Sequence, residues 1–312
     1  MQAPTTPSTT FIIPTFKYFG SLKTILKEVQ LIAQKYKNSE IILIDDASPK
    51  ETIGYLLKNT NSSVRLLFNK NNVGFAQTCN NAASQASNDL LIFLNSDIEF
   101  CGSTDWYEAI VKNYLEHKDN FGLSGAIHLE AKTMDLNHAG VDINLRGELV
   151  HIKTKDNGNE FSQVFAISGA VLAIEKKIFD SIGGFEKQFN NGCEDVDLCL
   201  RVRQMGKTVM ICNRSIIKHH VSKSRGLNHE RDARNSLRLY QKWEHVLSER
   251  LSCTWASYLS KQDETKLKLI YSKLKLSNCD ATSTHFDRAA KLIAKQILTK
   301  IIERLKANLH KS

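Results

Sequence analysis

The sequence predicts an α/β fold in which a mostly parallel central sheet is flanked by helices and followed by a C-terminal helical extension. Short, almost continuously apolar runs alternate with helical patterns in the first part of the chain, as in parallel strands that are covered on both faces. Polar clusters follow these runs directly. From about Asn228 onwards, long helical patterns dominate and strand patterns disappear.

The first part of the chain predicts four strands separated by helices. The apolar runs that indicate strands are at residues 11–13, 40–44, 64–68 and 90–94. Pro14 is expected to end the first of them. Apolar residues at helical spacing predict one helix over residues 22–33 and another over residues 75–87. This alternation is typical of a doubly wound sheet.

The middle of the chain has a less regular pattern. Strands are predicted at residues 140–144, 149–152, 164–174, 209–211 and 216–217, the first two as a hairpin. A helix is expected to begin near Cys193, because acidic residues in its first turn suit the positive end of the helix dipole. The last of these strands leads into His219 and His220.

Composition excludes several classes of protein. The 312 residues are 42% hydrophobic and 24% charged, which excludes whole-chain disorder. Seven cysteines without a C-x-x-C pair argue against a disulfide framework and a zinc ribbon, and indicate a reducing compartment. The sequence has neither a transmembrane-length apolar run nor the apolar core of a signal peptide, so a cytoplasmic location is predicted.

Positive charge is concentrated towards the C-terminal end. Residues 1–200 contain 18 Lys or Arg and 24 Asp or Glu, whereas residues 201–312 contain 24 and 9. This asymmetry points to a partner that carries phosphates. A nucleic acid is not expected, because no groove-reading motif is present and aromatic residues are sparse in this half.

Residues 286–309 form an amphipathic helical pattern, with lysines and arginines beside an apolar stripe. Two interpretations are open: a helix packed on the domain with a solvated basic face, or a helix lying in the plane of an anionic membrane surface. The second is slightly favoured, which makes the protein peripheral on the inner face of the cytoplasmic membrane. The predicted divisions are a disordered lead-in at residues 1–9, a catalytic domain at 10–250 and a basic helical extension at 251–312.

Polar residues follow the predicted strands at several points. They are Pro14 and Thr15, Asp45 and Asp46, residues 69–74, and residues 95–97. Ordinary turn chemistry explains any one of these clusters. Four clusters at one edge of a parallel sheet favour a ligand crevice, because ligands of such sheets bind beyond the carboxyl ends of the strands.

One of these clusters, together with a histidine after a later strand, suggests metal and phosphate chemistry. Asp97, with Asn95 two residues earlier, presents the hard oxygen ligands that suit Mg²⁺ or Mn²⁺ beside a diphosphate. His219 is positioned after a strand, where its imidazole can complete a metal shell. The alternatives are a turn cap for Asp97 and an ordinary buried histidine for His219.

The acids at the start of the predicted helix suggest proton transfer. Glu194 and Asp195 can supply a general base for a hydroxyl nucleophile. The alternative is that the acids stabilise the helix dipole and that Asp197 forms an ion pair with Arg201 or Arg203, which lie at helical spacing.

Together these clusters resemble glycosyltransferase family 2, the inverting sugar-nucleotide transferases of GT-A fold, over about residues 10–226. The stretches that carry the resemblance are Ile13-Pro14-Thr15, Asp45-Asp46-Ala47-Ser48, Asn69 to Ala76, Asn95-Ser96-Asp97, Ser168-Gly169-Ala170, Gly183-Gly184-Phe185, Glu194 to Arg201, and His219 with Ser222 to Gly226. The pattern is most similar to the branch that builds bacterial surface polysaccharides such as O-antigen and capsule, including rhamnosyltransferase-like members.

The resemblance implies a role for each matched position. The residues implied to bind the nucleotide-diphosphate sugar are Pro14, Thr15, Asp45, Asp46, Asn72, Gly74, Phe75, Asn95, Ser96 and Arg225. Asp97 and His219 would hold a divalent metal, Mn²⁺ or Mg²⁺. Asp195 would be the general base, with Glu194 orienting the acceptor. Ser168 and Gly169 would line the acceptor side.

The implied activity is inverting transfer of a sugar from a nucleotide-diphosphate donor to a hydroxyl of a glycan or lipid-linked acceptor. One departure from the family pattern is Asn95, which replaces the first acid of the D-x-D motif and leaves metal binding with fewer charges. The alternative functions are a non-catalytic module of GT-A shape that binds nucleotide or glycan, and a nucleotidyltransferase. The second lacks the glycine-rich basic loop that it needs after the first strand.

Overall fold

The computed structural model describes residues 6–17, 20–101, 105–154, 158–220, 228–273 and 283–309. The chain divides into two compact units: unit 1 comprises Met1–Val141 and His151–Leu227, and unit 2 comprises Asp142–Val150 and Asn228–Ser312. The main boundary between the compact units therefore lies between residues 227 and 228. The domain boundary expected after residue 250 stays a prediction.

The described part of the chain contains twelve strands. They are β1 (Thr9–Thr15), β2 (Ser39–Asp45), β3 (Arg65–Phe68), β4 (Leu90–Leu94), β5 (Ile98–Phe100), β6 (Phe121–Glu130), β7 (Leu136–His138), β8 (Val141–Ile143), β9 (Leu149–His151), β10 (Phe161–Gln163), β11 (Val171–Glu175) and β12 (Thr208–His219). Ten of these described strands form one sheet, ordered β10-β12-β6-β11-β4-β1-β2-β3, with β5 against β12 and β7 against β6. β8 and β9 pair with each other as the predicted hairpin.

The sheet is mostly parallel, as predicted. β1 pairs in parallel with β2 and β4, and β2 pairs in parallel with β3. β11 is antiparallel to both β4 and β6, so β6 and its parallel neighbour β12 run in the same direction as the first four strands. Most carboxyl ends of the strands therefore meet at one edge, where the predicted site residues are concentrated.

Helices of unit 1 cover both faces of this sheet. The described helices are α1 (Leu22–Lys35), α2 (Lys50–Asn59), α3 (Gly74–Ala83), α4 (Asp105–Glu116), α5 (Lys176–Ser181), α6 (Glu194–Gln204), α7 (His229–Lys242), α8 (Glu244–Leu259), α9 (Glu264–Lys273) and α10 (Ser283–Leu309). Phe11 of β1 belongs to a core with α1 and α4, and its ring contacts Tyr107 at 5.5 Å between centroids. Elsewhere Phe93 of β4 contacts the rings of Phe179 and Phe185, each at 5.2 Å.

Four predicted elements differ from the observed ones. Pro14 lies inside β1 rather than at its end, because pairing with β4 stops at Ile12 and leaves this part of β1 open on that side. β11 begins only at Val171, after an irregular stretch that contains Ser168 and Gly169. The two short strands predicted at residues 209–217 are one strand, β12, interrupted by a bulge. The predicted helix 75–87 is α3, which ends at Ala83.

Unit 2 is helical and holds the tip of the β8–β9 hairpin. Arg250 of α8 donates from Nε to Asp142 Oδ1 at 2.7 Å. The Tyr240 hydroxyl donates to the Gly147 carbonyl at 2.7 Å, and the Trp255 indole donates to the Leu145 carbonyl at 3.0 Å. These bonds satisfy the polar groups of the hairpin among the helices.

The apolar side of α10 packs inside unit 2. Its buried residues are Ala289, Ala290, Ile293, Ala294, Leu298 and Ile302. Leu292 is exposed, at 46%, and Ile297, Ile301, Leu305 and Leu309 are half-buried. This packing agrees with the first interpretation of residues 286–309, a packed helix with a solvated basic face. The lysines of α10 face solvent. Among the described helices, none is both long enough and apolar enough to cross a membrane.

Candidate active site at the carboxyl edge of the sheet

Strand pairing brings the predicted site residues to one edge of the sheet. Thr15 pairs with Asp45 at the carboxyl ends of β1 and β2. Val171 pairs with Leu94, so the turn before β11 lies beside residues 95–97 after β4. His219, the last residue of β12, pairs with Ile98 of β5. The predicted crevice residues are therefore neighbours, although they are far apart in the sequence.

Asp46 shapes the loop that precedes α3. Its Oδ1 accepts hydrogen bonds from the Asn69 side chain and the Val73 amide, both at 2.9 Å, and its Oδ2 accepts one from the Gly74 amide at 2.9 Å. The Asn72 side chain donates to the Asp46 carbonyl at 3.1 Å. Asp46 and Asn72 thus hold the 69–74 loop in place, and their contact with a nucleotide stays a prediction.

Asp45 is arranged differently from its neighbour. Its Oδ2 accepts a hydrogen bond from the Ser48 amide at 2.8 Å, while its Oδ1 is buried without a hydrogen-bond partner. A buried carboxylate oxygen without a partner is costly, and it is available to a ligand that donates a hydrogen bond.

The start of α3 is connected to the loop before α6. Gly74 has a φ of +81°, a left-handed conformation that side chains rarely adopt. The Phe75 amide donates to Asn191 Oδ1 at 2.9 Å, and the Phe75 ring contacts Phe185. No local sequence pattern points to Asn191, because its partner Phe75 is 116 residues away in the sequence.

Buried, unpartnered oxygens follow β4. Asn95 Oδ1 and Asp97 Oδ1 are both buried without a hydrogen-bond partner. His219 Nε2 lies 3.4 Å from Asp97 Oδ1, which is too long for a good hydrogen bond between these atoms. His220 instead pairs its Nε2 with Glu99 Oε1 at 2.7 Å. Of the two histidines, His219 is therefore the one that faces Asp97.

These residues fit a divalent cation that is also bound by substrate. The described residues contain no group of three His, Cys, Asp or Glu side chains that could hold a metal by themselves. One carboxylate and one imidazole suit Mg²⁺ or Mn²⁺, which are commonly bound through one or two protein ligands and the phosphates of a substrate. Ser96, between Asn95 and Asp97, is buried. Arg225 lies outside the described residues.

The acids of α6 have separate environments. Asp195 Oδ1 accepts from the Val196 amide at 2.8 Å, and its Oδ2 accepts from the Gly169 amide at 3.0 Å. Glu194 accepts a hydrogen bond from the Gly192 amide. Asp197 is fully buried and accepts from Arg201 Nε at 2.8 Å. The ion pair considered in the sequence analysis thus exists at Asp197, and Asp195 lies beside the Ser168–Gly169 turn.

A cluster of histidines beside this turn was missed by the sequence analysis. His138 Nδ1 lies 2.7 Å from His151 Nδ1, and the Ser168 amide donates to His138 Nε2 at 3.3 Å. The His128 ring lies 4.5 Å from that of His138 and 5.3 Å from that of His219, between centroids. No sequence spacing signals this cluster, because the pairing of β6 with β7 creates it.

The pKa values of His128, His138 and His151 are lowered, because His128 and His138 are buried and the three imidazoles lie close together. Burial, with the neighbouring imidazoles, lowers the pKa of His138 to about 3. The same causes hold the pKa of His128 well below its ordinary value. Burial also lowers the pKa of His151, although the Asp195 carboxylate opposes this shift. His138 is therefore neutral at physiological pH.

The comparisons with known proteins identify the family and the fold. The model of the family described as glycosyl transferase family 2 matches residues 10–183. Among curated proteins, the uncharacterized protein y4gI of Sinorhizobium fredii is 28% identical over 71% of this chain and 25% of its own length. The O-antigen biosynthesis protein RfbC of Myxococcus xanthus is 27% identical over 70% of this chain and 18% of its own. The chain thus spans a quarter or less of these bacterial relatives.

More distant relatives and solved structures extend the comparison. The inactive polypeptide N-acetylgalactosaminyltransferase-like protein 5 of Mus musculus is 26% identical over 72% of this chain and 56% of its own. The structure of GalNAc-T7 with UDP, GalNAc and Mn²⁺ has a TM-score of 0.64 at 17% identity, covering 88% of this chain and 55% of that one.

A second solved structure is the mannosyltransferase PcManGT from Pyrobaculum calidifontis, in complex with GDP-Man and Mn²⁺. It has a TM-score of 0.56 at 15% identity and covers 94% of this chain and 87% of that one. At such identities the structural likeness shows the GT-A fold alone. The family match over more than half of the chain shows more: this chain belongs to glycosyl transferase family 2.

Proposed function

We propose that the chain is an inverting glycosyltransferase that moves a sugar from a nucleotide-diphosphate donor to a hydroxyl of a glycan or lipid-linked acceptor. The observation that carries the proposal is that two chemically different groups of residues lie at one edge of the sheet. Buried, unpartnered oxygens of Asn95 and Asp97 lie on one side, and the Asp97 oxygen faces His219. On the other side, the Asp195 carboxylate is held by two backbone amides.

Asp195 is the proposed general base. The acceptor hydroxyl loses its proton to this carboxylate while its oxygen bonds to the anomeric carbon, and the bond from that carbon to the diphosphate oxygen breaks. Attack from the face opposite the nucleotide inverts the anomeric centre. The hydrogen bonds from the two backbone amides orient the carboxylate before the acceptor binds. This favours the reaction, because the carboxylate needs little reorganisation.

Asp97 and His219 are the proposed protein ligands of Mn²⁺ or Mg²⁺. When bound, the cation offsets the negative charge that develops on the departing diphosphate. Asn95 is neutral, so it contributes an amide oxygen where the family pattern has a carboxylate. GalNAc-T7 and PcManGT were both solved with Mn²⁺, which supports this proposal.

The proposed donor pocket lies at the ends of β1, β2 and β4. Pro14, Thr15 and Asp45 would border the base and ribose, and the loop that Asp46 holds would close near the donor. Ser96, Gly74 and Phe75 remain donor-side proposals, as does Arg225. Ser168 and Gly169 are proposed to line the acceptor side.

A role in bacterial surface polysaccharide synthesis is supported by the similarity to RfbC. The protein is proposed to act in the cytoplasm, at the inner membrane surface, where lipid-linked acceptors are found. Because the apolar side of α10 is buried, contact with the membrane would be electrostatic, through exposed residues such as Lys291 and Lys295. Reversing both to Glu should weaken binding to phosphatidylglycerol vesicles, and equal binding by the variant would refute this contact.

A specific observation favours one second candidate, a non-catalytic nucleotide-binding module. Curated relatives from mouse and Macaca fascicularis are named inactive, and Asn95 reduces the charge at the proposed metal site. A thermal-shift panel of UDP, dTDP, GDP and CDP, each with Mn²⁺, Mg²⁺ or chelator, identifies the nucleotide. At 100 times its dissociation constant a ligand stabilises the folded state by about 2.7 kcal/mol.

The decisive experiment measures sugar transfer by Asp195→Asn and by the wild type. The donor is a nucleotide sugar that carries the nucleotide identified in the thermal-shift panel. Loss of a general base should lower kcat by about 10²–10⁴-fold. Nucleotide binding should stay unchanged, because Asp195 lies on the acceptor side. Asp119→Asn is the matched control, since Asp119 is exposed and outside the site. Retention of more than about a tenth of the wild-type kcat by Asp195→Asn would contradict the assignment.

A further inference from the structure

The Ser168–Gly169 turn connects a histidine to the proposed general base. The Ser168 amide donates to His138 Nε2 at 3.3 Å, and the next amide along the chain, that of Gly169, donates to Asp195 Oδ2 at 3.0 Å. Adjacent amides of one turn are therefore anchored to His138 and to Asp195. A shift of this turn moves one of the two bonds that orient the carboxylate.

Other contacts anchor the two ends of this segment. The Ile167 amide donates to Cys199 Sγ at 3.4 Å, and the Ala170 carbonyl accepts from the Asn95 amide at 3.0 Å. Between these ends, His138 supplies the acceptor for the Ser168 amide. The imidazole thus fixes the part of the turn that directly precedes Gly169.

The hydrogen bonds also determine the tautomer of His138. A backbone amide can only donate, so Nε2 of His138 carries no proton. The proton of the neutral ring is then on Nδ1, which donates to His151 Nδ1 at 2.7 Å. The low pKa that burial gives His138 keeps it in this neutral state. Contact with the His128 ring on one side and the His151 ring on the other holds its orientation.

We propose that His138, supported by His151, is a positioning residue for the general base Asp195, acting through the Ser168–Gly169 turn. This inference rests on the proposed function and extends it to residues that touch neither donor nor metal in the arrangement described above. Removing the imidazole should loosen the turn and misplace the Asp195 carboxylate. A small misplacement of a reacting group can reduce the rate by about 100-fold.

The test compares two substitutions of His138. His138→Phe keeps a planar ring but removes both hydrogen bonds. His138→Gln retains an amide oxygen that can accept from the Ser168 amide. We expect His138→Phe to lower kcat by about 10–100-fold with unchanged nucleotide affinity, and His138→Gln to recover part of this loss. His117→Phe is the matched control, because His117 is partly buried against Phe161 and outside the histidine cluster.

Amide hydrogen exchange provides a readout that does not depend on turnover. In His138→Phe, the Ser168 and Gly169 amides should both exchange faster, while the Val196 amide, which also bonds Asp195, should change less. Wild-type exchange at Gly169, or a wild-type kcat, would overturn the positioning role. Failure of the proposed function gives a different result: either the wild type shows no sugar transfer, or Asp195→Asn retains it, whatever the behaviour of the His138 variants.

Discussion

Replacing Asp46 by alanine tests whether one carboxylate holds the loop at the donor edge of the sheet. Asp46 is 5% exposed and accepts from the amides of Val73 and Gly74 and from the side chain of Asn69. In Asp46→Ala the amides of Val73 and Gly74 lose this acceptor, while the Asn69 side chain keeps its hydrogen bond to the Thr78 hydroxyl. The loop that the resemblance places against the nucleotide would then lose the bonds that fix its Val73–Gly74 end.

The expected magnitude follows from the hydrogen bonds to the carboxylate. A bond to a charged group contributes about 1.5–3 kcal/mol to stability. Counting only the two backbone donors, Asp46→Ala should lower the free energy of unfolding by about 3–6 kcal/mol. Asp46→Asn should lose less, because the amide oxygen still accepts from one side while its NH₂ group faces a donor on the other.

Urea denaturation followed by circular dichroism measures this change. Asp180→Ala is the matched control, because Asp180 is 54% exposed and forms a surface ion pair with Lys176. Such pairs contribute about 0–1 kcal/mol. Calorimetry with the nucleoside diphosphate should show weaker binding to Asp46→Asn than to wild type. If Asp46→Ala is no less stable than the control variant, Asp46 does not hold the loop and the reasoning is wrong.

Three further predictions concern packing and pH. Asp197→Ala should lower the free energy of unfolding by about 3–5 kcal/mol, because it leaves the partly buried Arg201 guanidinium without its carboxylate; Asp197→Ala with Arg201→Leu should recover part of this in urea denaturation. Gly147→Ala should destabilise unit 2 by about 1–3 kcal/mol in the same assay, because φ is +78° and a Cβ would lie 2.7 Å from Ile297 Cγ2. Burial lowers the pKa of His138 from 6.5 to about 3, so the unfolded chain binds the proton more readily. The free energy of unfolding should therefore decrease as pH falls from 6.5 towards 3, and His138→Phe should flatten this part of the profile.

The parts of the fold that could be predicted are those that local pattern determines. Apolar runs identified β1, β2 and β4, because parallel strands that are covered on both faces are apolar at most positions. A similar run identified β3, although this edge strand is only partly buried. The acidic first turn identified the start of α6, where the helix dipole favours negative charge. The same pattern left the roles of these acids open, and tertiary contacts separate Asp197, in an ion pair, from Asp195, beside the turn.

Other features depend on partners that are distant in sequence. Pro14 continues β1 because β4 no longer pairs beside it, which the sequence of β1 alone does not reveal. Asp46 has the pattern of a ligand residue, but its carboxylate is satisfied by the 69–74 loop. The four histidines lie in separate strands and become neighbours only through the sheet. Sequence spacing reports on one element at a time, so it predicts helix and strand faces better than clusters.

Three buried, unpartnered side-chain oxygens at this edge support the binding of a ligand there. Asp45, Asn95 and Asp97 each have a buried side-chain oxygen without a hydrogen-bond partner, and all three directly follow or end parallel strands. Each such atom costs about 1–3 kcal/mol of stability. By contrast, both oxygens of Asp195 accept backbone hydrogen bonds at normal distances. The protein itself thus supplies the hydrogen bonds of the proposed base, whereas the donor-side oxygens lack them. A bound donor and cation would offset the cost of those unpartnered oxygens.

Asp97→Ala should accordingly weaken nucleoside diphosphate binding in the presence of Mn²⁺ and leave it unchanged under chelation. Equal weakening under both conditions would exclude Asp97 as the metal ligand.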